Sequence, residues 1–161
     1  MNISINMAAR KTFKALIGLI ILILFSFIYF LVDLGENSLE EKIVTKIIDG
    51  DTVIVEGGEN IRLLGIDCDE RGKKCYDEAK NYLEENLLNK KVSLESDLED
   101  KDRYERSLRY IFLNRTNINL KMVEDGYCVA RFENQEPKYK EDIQKAEKFA
   151  IENKIGCKWS E

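Results

Sequence analysis

Histidine is absent from the 161 residues of this chain. That absence removes the Ser-His and Cys-His nucleophile pairs and every mechanism that uses imidazole as acid or base. The four cysteines, Cys68, Cys75, Cys128 and Cys157, include no CxxC spacing. With no histidine to join them they argue against a zinc site. Basic charge is in deficit too: 25 Lys and Arg face 30 Asp and Glu, a formal −5. A nonspecific, charge-driven grip on a polyanion is therefore excluded as the whole basis of function. There are no internal repeats and no low-complexity segments. A charged fraction of 34% beside 44% hydrophobic residues excludes a largely disordered chain and a multi-spanning membrane protein.

What the chain does have is one long apolar run. Ala15–Val32 holds eighteen residues without a charge. As a helix it extends about 27 Å, close to the hydrocarbon thickness of a bilayer. Arg10, Lys11 and Lys14 precede it, and Asp33, Glu36, Glu40 and Glu41 follow, so the positive-inside bias keeps the N-terminus in the cytoplasm. No A-x-A pattern and no lipid-attachment cysteine follow the run. The expected organisation is a cytoplasmic N-terminus over 1–14, a transmembrane signal-anchor helix over 15–34, a linker over 35–41 and one domain over 42–161. The lipid bilayer is then a partner through 15–34, and the domain is a single-pass cell-membrane protein's extracytoplasmic part; secretion after signal cleavage is the alternative. Residues 35–161 carry 22 basic and 29 acidic residues, a formal −7.

Within the domain, short β-branched runs come first. Ile43–Ile48 and Thr52–Val55 flank an Asp-Gly-Asp break, and Ile61–Ile66 follows Gly57-Gly58, which predicts a three-stranded meander. Over Cys75–Leu88 the period changes, with Tyr76, Ala79, Leu83 and Leu87 at helical spacing. Strands resume at Val92–Glu95 and Leu108–Leu113. A short helix over Leu120–Asp125 stops at Gly126, and Val129–Phe132 is extended. Pro137 opens a last helix whose buried stripe is Ile143, Ala146, Phe149 and Ala150. Five short strands interrupted by helices predict a small α+β domain with a barrel, for which the OB-fold is a natural candidate, behind one N-terminal transmembrane helix.

Three polar clusters could carry chemistry. Asp49-Gly50-Asp51-Thr52 puts two carboxylates in an inter-strand turn. Asp67-Cys68-Asp69-Glu70 puts three within four residues at a strand end, with Arg62 five residues before Asp67. Asp102-Arg103-Tyr104-Glu105-Arg106 enters the fifth strand. Taken singly, each is an ordinary turn or solvated charge run.

Taken in order, IIDGDTV (47–53), IRLLGIDCDE (61–70), DRYERSLRYI (102–111), NLKMVEDGY (119–127) and GCKW (156–159) resemble the thermonuclease (staphylococcal nuclease) family. The resemblance runs from about Ile43 to Trp159 and implies a five-stranded OB-fold barrel with three helices. It implies calcium held by the carboxylates of Asp51 and Asp67 and the backbone carbonyl of Cys68. Arg62 and Arg106 match the arginines on the scissile phosphate, Glu70 the general base, and Arg103 and Tyr104 contacts to a nucleotide's phosphate. The implied activity is hydrolysis of DNA or RNA to 3′-phosphate ends. Where the family commonly has proline before the glutamate, this chain has Asp69. Glu105 stands where a glycine is usual.

That chemistry is self-consistent. Paired guanidiniums match phosphate oxygens better than a lysine point charge does. Calcium suits carboxylate and carbonyl oxygens. On an oxidising membrane face disulfides form. Of the three connectivities, Cys68–Cys75 with Cys128–Cys157 is the expected one, and four buried free thiols are the alternative. Two rival functions are a catalytically inactive OB module that binds nucleic acid or a protein partner, and a structural envelope spacer.

Overall fold

The computed structural model describes residues 13–14, 16–28, 39–132 and 137–160. The chain divides into two compact units, Met1–Ser38 and Leu39–Glu161. In the first, residues 13–14 and 16–28 are helical (α1). Residues 15 and 29–34 of the expected anchor lie outside the described residues. Among the described residues no helix is long and apolar enough to cross a membrane.

The second unit runs β1 (Glu40–Ile47), β2 (Thr52–Val55), β3 (Asn60–Leu63), β4 (Ile66–Cys68), α2 (Tyr76–Leu87), β5 (Lys91–Glu95), β6 (Ser107–Leu113), β7 (Thr116–Asn117), α3 (Ile118–Glu124), β8 (Cys128–Ala130), α4 (Lys140–Glu152) and α5 (Gly156–Trp159). Five strands close a ring. β1 pairs antiparallel with β2 and β5, β2 with β3, and β5 with β6. A parallel pairing of β3 with β6 shuts it, setting Ile61 opposite Ser107 and Arg62 opposite Leu108. The alternating residues Val53, Val55, Ile61, Leu63, Val92 and Leu94 fill the interior. In β1 the alternation breaks: Val44 and Ile47, three apart, are both buried. An irregularity in register between Val44 and Lys46 re-aims the strand so that both face inward.

The structure corrects several sequence expectations. β1 begins at Glu40, inside the expected linker. The run Ile61–Ile66 is not one strand. It breaks at Leu64-Gly65, where Gly65 has φ 76° and an added Cβ would come within 2.9 Å of both Ile143 and Phe132. Ile66 therefore starts β4, which leaves the barrel to pair antiparallel with β8. α2 buries Tyr76, Ala79, Leu83 and Leu87 as its periodicity requires. α4 buries Ile143, Ala146 and Ala150, but Phe149 is 49% exposed. A fourth helix of the domain, α5, follows the three expected.

The expected cysteine pairing is also wrong. The bridges are Cys68–Cys128 and Cys75–Cys157, with Cα–Cα distances of 4.3 and 5.4 Å, and no cysteine is free. Long-range pairing overrides nearness in sequence: the β4–β8 register sets Cys68 opposite Cys128. Cys75, just before α2, is left to meet α5.

α3 ends in a Schellman motif, with the Gly126 N–H donating to the Val123 carbonyl and the Tyr127 N–H to that of Met122. Gly126, at φ 67°, lies directly on the turn into α5. A Cβ there would stand 1.9 Å from the Ile155 carbonyl oxygen, and one on Gly156 2.1 Å from that of Asp125. This backbone-to-backbone approach brings α5 onto the domain, and the Lys158 N–H donates to the Gly126 carbonyl at 3.0 Å.

Candidate active site

Barrel closure gathers the polar clusters. The turn after β1 is an Asx turn, in which the Asp51 N–H donates to Asp49 Oδ1 at 3.1 Å. It delivers Asp51 and Thr52 to the mouth of the ring. Thr52 pairs with Arg62 across β2 and β3, so the guanidinium lies beside Asp51. The parallel β3–β6 pairing then brings Arg106, the residue before β6, to the same rim. β4 carries Asp67 and Cys68 around it.

Asp51 is 7% exposed. Its Oδ2 accepts from the Cys68 N–H at 2.9 Å and pairs with Arg62 Nη1 at 3.2 Å, while Oδ1 accepts from the Thr52 hydroxyl at 3.2 Å. Burial pushes its pKa up, and Arg62 and the Cys68 amide pull back only in part, leaving it at about 6. Asp67 shares Arg62, its Oδ1 lying 3.2 Å from Nη2, and its Oδ2 lies 3.1 Å from Arg131 Nη1. One guanidinium thus bridges two carboxylates.

The Arg103–Arg106 turn is organised by Asp102. Its carboxylate accepts from the Tyr104 N–H at 2.9 Å, the Arg106 N–H at 3.0 Å and Arg106 Nε at 2.7 Å. Burial raises the Asp102 pKa, but these bonds outweigh it and hold the group below the usual carboxylate range. Arg106 Nη1 then reaches the Thr52 hydroxyl at 3.2 Å. Glu105, at φ 63°, occupies the left-handed conformation that suits the glycine usual at this position. The exposed Tyr104 ring has the Arg103 and Arg106 guanidiniums 4.8 and 5.6 Å from its centroid.

Asp51, Arg62, Asp67, Cys68, Glu70, Arg103, Tyr104 and Arg106 all line one cleft of about 850 Å³. All eight sequence-derived site residues therefore meet in one place. Two further residues shape the cleft. Asp102 belongs to the third polar cluster of the sequence, which assigns it no role; it is the acceptor two and four residues before the amides it caps. Arg131 reaches the cleft only through the β4–β8 pairing, which leaves no local signal.

The donor chemistry at the rim fits a hard dication. Asp51 and Asp67 offer carboxylate oxygens at the rim of one cleft, the ligand type that a hard dication takes. Among the described residues no group of three or more His, Cys, Asp or Glu converges to enclose a metal. A dication held there would depend on Asp51 and Asp67, with water and an anionic ligand completing its shell.

A closed five-stranded barrel with paired aspartates and guanidiniums at its rim is an OB-type barrel equipped to hold an anion. Comparison with known proteins narrows the class. A family model described as staphylococcal nuclease homologue matches residues 60–161. The chain is 38% identical over 116 residues to a thermonuclease of Staphylococcus hyicus, covering 66% of this chain and 69% of that protein. It is 34% identical over 125 residues to a thermonuclease of Staphylococcus intermedius, covering 72% and 74%. A Haemophilus influenzae protein named as an uncharacterized endonuclease is 36% identical over 91 residues, covering 54% and 50%. The chain belongs to the staphylococcal nuclease family.

Proposed function

We propose that this chain is a calcium-dependent nuclease that hydrolyses phosphodiester bonds of DNA or RNA to 3′-phosphate products. The observation that carries the reading is the convergence of Asp51, Arg62, Asp67, Glu70 and Arg106 on one cleft. The relatives named thermonuclease support it.

In this reading Arg62 and Arg106 present guanidinium donors to the phosphate oxygens and stabilise the charge that grows on them at the transition state. Glu70 takes the proton of the water that attacks phosphorus in line, and the bond to the 5′ oxygen breaks. Arg103 and Tyr104 bind the neighbouring nucleotide. Asp51, Asp67 and the Cys68 carbonyl would hold the calcium ion. When bound, that ion neutralises the phosphate and orients the attacking water. Arg62 pairs with both aspartates in the free protein and turns to the phosphate when substrate enters.

The uncharged run Ala15–Val32 supports an uncleaved anchor over 15–34, with the nuclease domain outside the membrane. There calcium is plentiful and disulfides persist.

The test is cleavage of DNA and RNA by the full chain, disulfides intact, with calcium or with chelator. Glu70→Gln and Arg106→Ala are each expected to lower kcat by roughly 10²–10⁴-fold. Undiminished activity in both variants sinks the residue assignment. Binding of nucleic acid without cleavage under any divalent cation identifies a non-catalytic module instead.

A further inference from the structure

Glu70 is carried by a segment tethered at both ends. Cys68 is bonded to Cys128 of β8, and Cys75 to Cys157 of α5. Between the tethers, Asp69 Oδ1 meets Lys158 Nζ at 2.7 Å, and Oδ2 accepts from the Cys75 N–H at 3.0 Å. Lys74 Nζ reaches the Ser160 carbonyl at 3.0 Å. Residues 69–75 are thus fastened by three separate links to residues 157–160.

The Asp69–Lys158 pair is well enclosed, with side chains 20% and 18% exposed. Burial raises the Asp69 pKa, but the hydrogen bonds from Lys158 and the Cys75 amide overcome it and hold the carboxyl below its ordinary range. Both Asp69 oxygens are engaged, so the residue is fixed in both directions. Its neighbour is different. Glu70 is exposed and lines the cleft, and among the described residues no side chain pairs with its carboxylate. The place of that carboxylate is therefore set by the backbone that carries it, and Asp69 is the adjacent anchoring point. A proton-accepting group is sensitive to displacement of about 1 Å.

We propose that Asp69 and Lys158 are positioning residues: their ion pair, backed by the Cys75–Cys157 cross-link, holds the 68–75 backbone so that Glu70 is presented to the cleft. This rests on the nuclease reading for its catalytic consequence, but the clamp itself has a readout that does not. Lys158→Met keeps the length of the side chain and removes its charge, leaving Asp69 enclosed without its partner. Lys158→Arg keeps the pair.

The experiment uses the full chain with its disulfides intact, below the melting onset of each variant, with DNA and calcium. Lys158→Met is expected to lower kcat roughly tenfold, part of the about 10²–10⁴-fold that a positioned base contributes, with KM changed less than about twofold. Lys158→Arg restores kcat to within about threefold of the parent. In parallel, trypsin is expected to cut at Arg71, Lys73 and Lys74 several times faster in the Met variant alone, with cleavage at Lys145 and Lys148 unchanged. An unchanged kcat in the Met variant, or an equal loss in both variants, overturns the proposal. So do tryptic rates at 71–74 that ignore the charge at position 158. If the parent chain cleaves no nucleic acid, the nuclease reading falls alone, and the tryptic comparison still decides the clamp.

Discussion

Asp51→Asn should make the cation-free protein more stable at neutral pH while abolishing its activity. The carboxylate is 7% exposed, and its pKa is raised from 3.8 to about 6, first by burial and against the pull of Arg62 and the Cys68 amide. A raised folded-state pKa means that the native protein binds this proton more tightly than the unfolded chain. The associated stability is fully present below about pH 3.8 and is lost as pH rises through about 6. At 1.36 kcal/mol per unit, the ionised group costs about 3 kcal/mol at pH 7. Asparagine removes the charge and keeps the contacts. Its Oδ1 takes the place of Oδ2 before the Cys68 amide and Arg62, and its Nδ2 donates to the Thr52 hydroxyl. In chelator at pH 7 the variant should therefore melt roughly 10 °C above the parent. The two curves should converge near pH 4. Calcium reverses the order at pH 7 once it is at about a thousandfold excess over its Kd, where it stabilises the parent by about 4.1 kcal/mol and the variant not at all. Calorimetric scans across pH, with and without calcium, decide the matter. A variant less stable than the parent at pH 7 in chelator, or a difference that persists at pH 4, refutes the reasoning.

Three further outcomes follow from the geometry. Asp102→Ala removes the acceptor of two backbone amides and of Arg106 Nε, so kcat should fall at least tenfold, with a stability loss of about 1–3 kcal/mol by denaturant titration. Peptide mapping without reductant should recover Cys68–Cys128 and Cys75–Cys157. Because the bridges span 60 and 82 residues, reducing either one alone should cost about 4 kcal/mol by loop entropy, read from the denaturation midpoint. Gly126→Ala forces a methyl toward the Ile155 carbonyl in a left-handed backbone, and should cost more than about 2 kcal/mol, whereas Gly72→Ala, with open space around it, should cost about 1 kcal/mol.

The barrel strands are legible in the sequence because residues such as Val53, Val55, Ile61 and Leu63 alternate between two environments, and because Asp-Gly and Gly-Gly breaks separate them. α2 is legible for the corresponding reason at helical period. Local pattern stops at long-range pairing. Nothing around Ile66 announces that it leaves the barrel for β8, so the strand break at Gly65, the cystine partners and the arrival of Arg131 in the cleft all escape it. The cleft-lining residues are easier to read, since Asp51, Arg62, Asp67 and Arg106 lie in or just before short strands that the motifs mark. Their supports are not: Lys158 is an unremarkable lysine in GCKW until α5 is folded against residue 69. Phe149 misleads because its spacing fits the buried stripe of α4, while packing ends one position to its side.

The reach of α5 back to residues 69 and 75 has a consequence for the order of assembly. All five strands of the ring exist once Leu113 has been made, and the β3–β6 pairing that closes it spans only residues 61–63 and 107–109. The tethers on the Glu70 segment come from residues 128 and 157, and its ion pair from residue 158. In a chain emerging N-terminus first, a closed barrel can precede a finished site by some forty-five residues of synthesis. The links to residues 69–75 arrive last, carried by the final short helix to strands that have already been made.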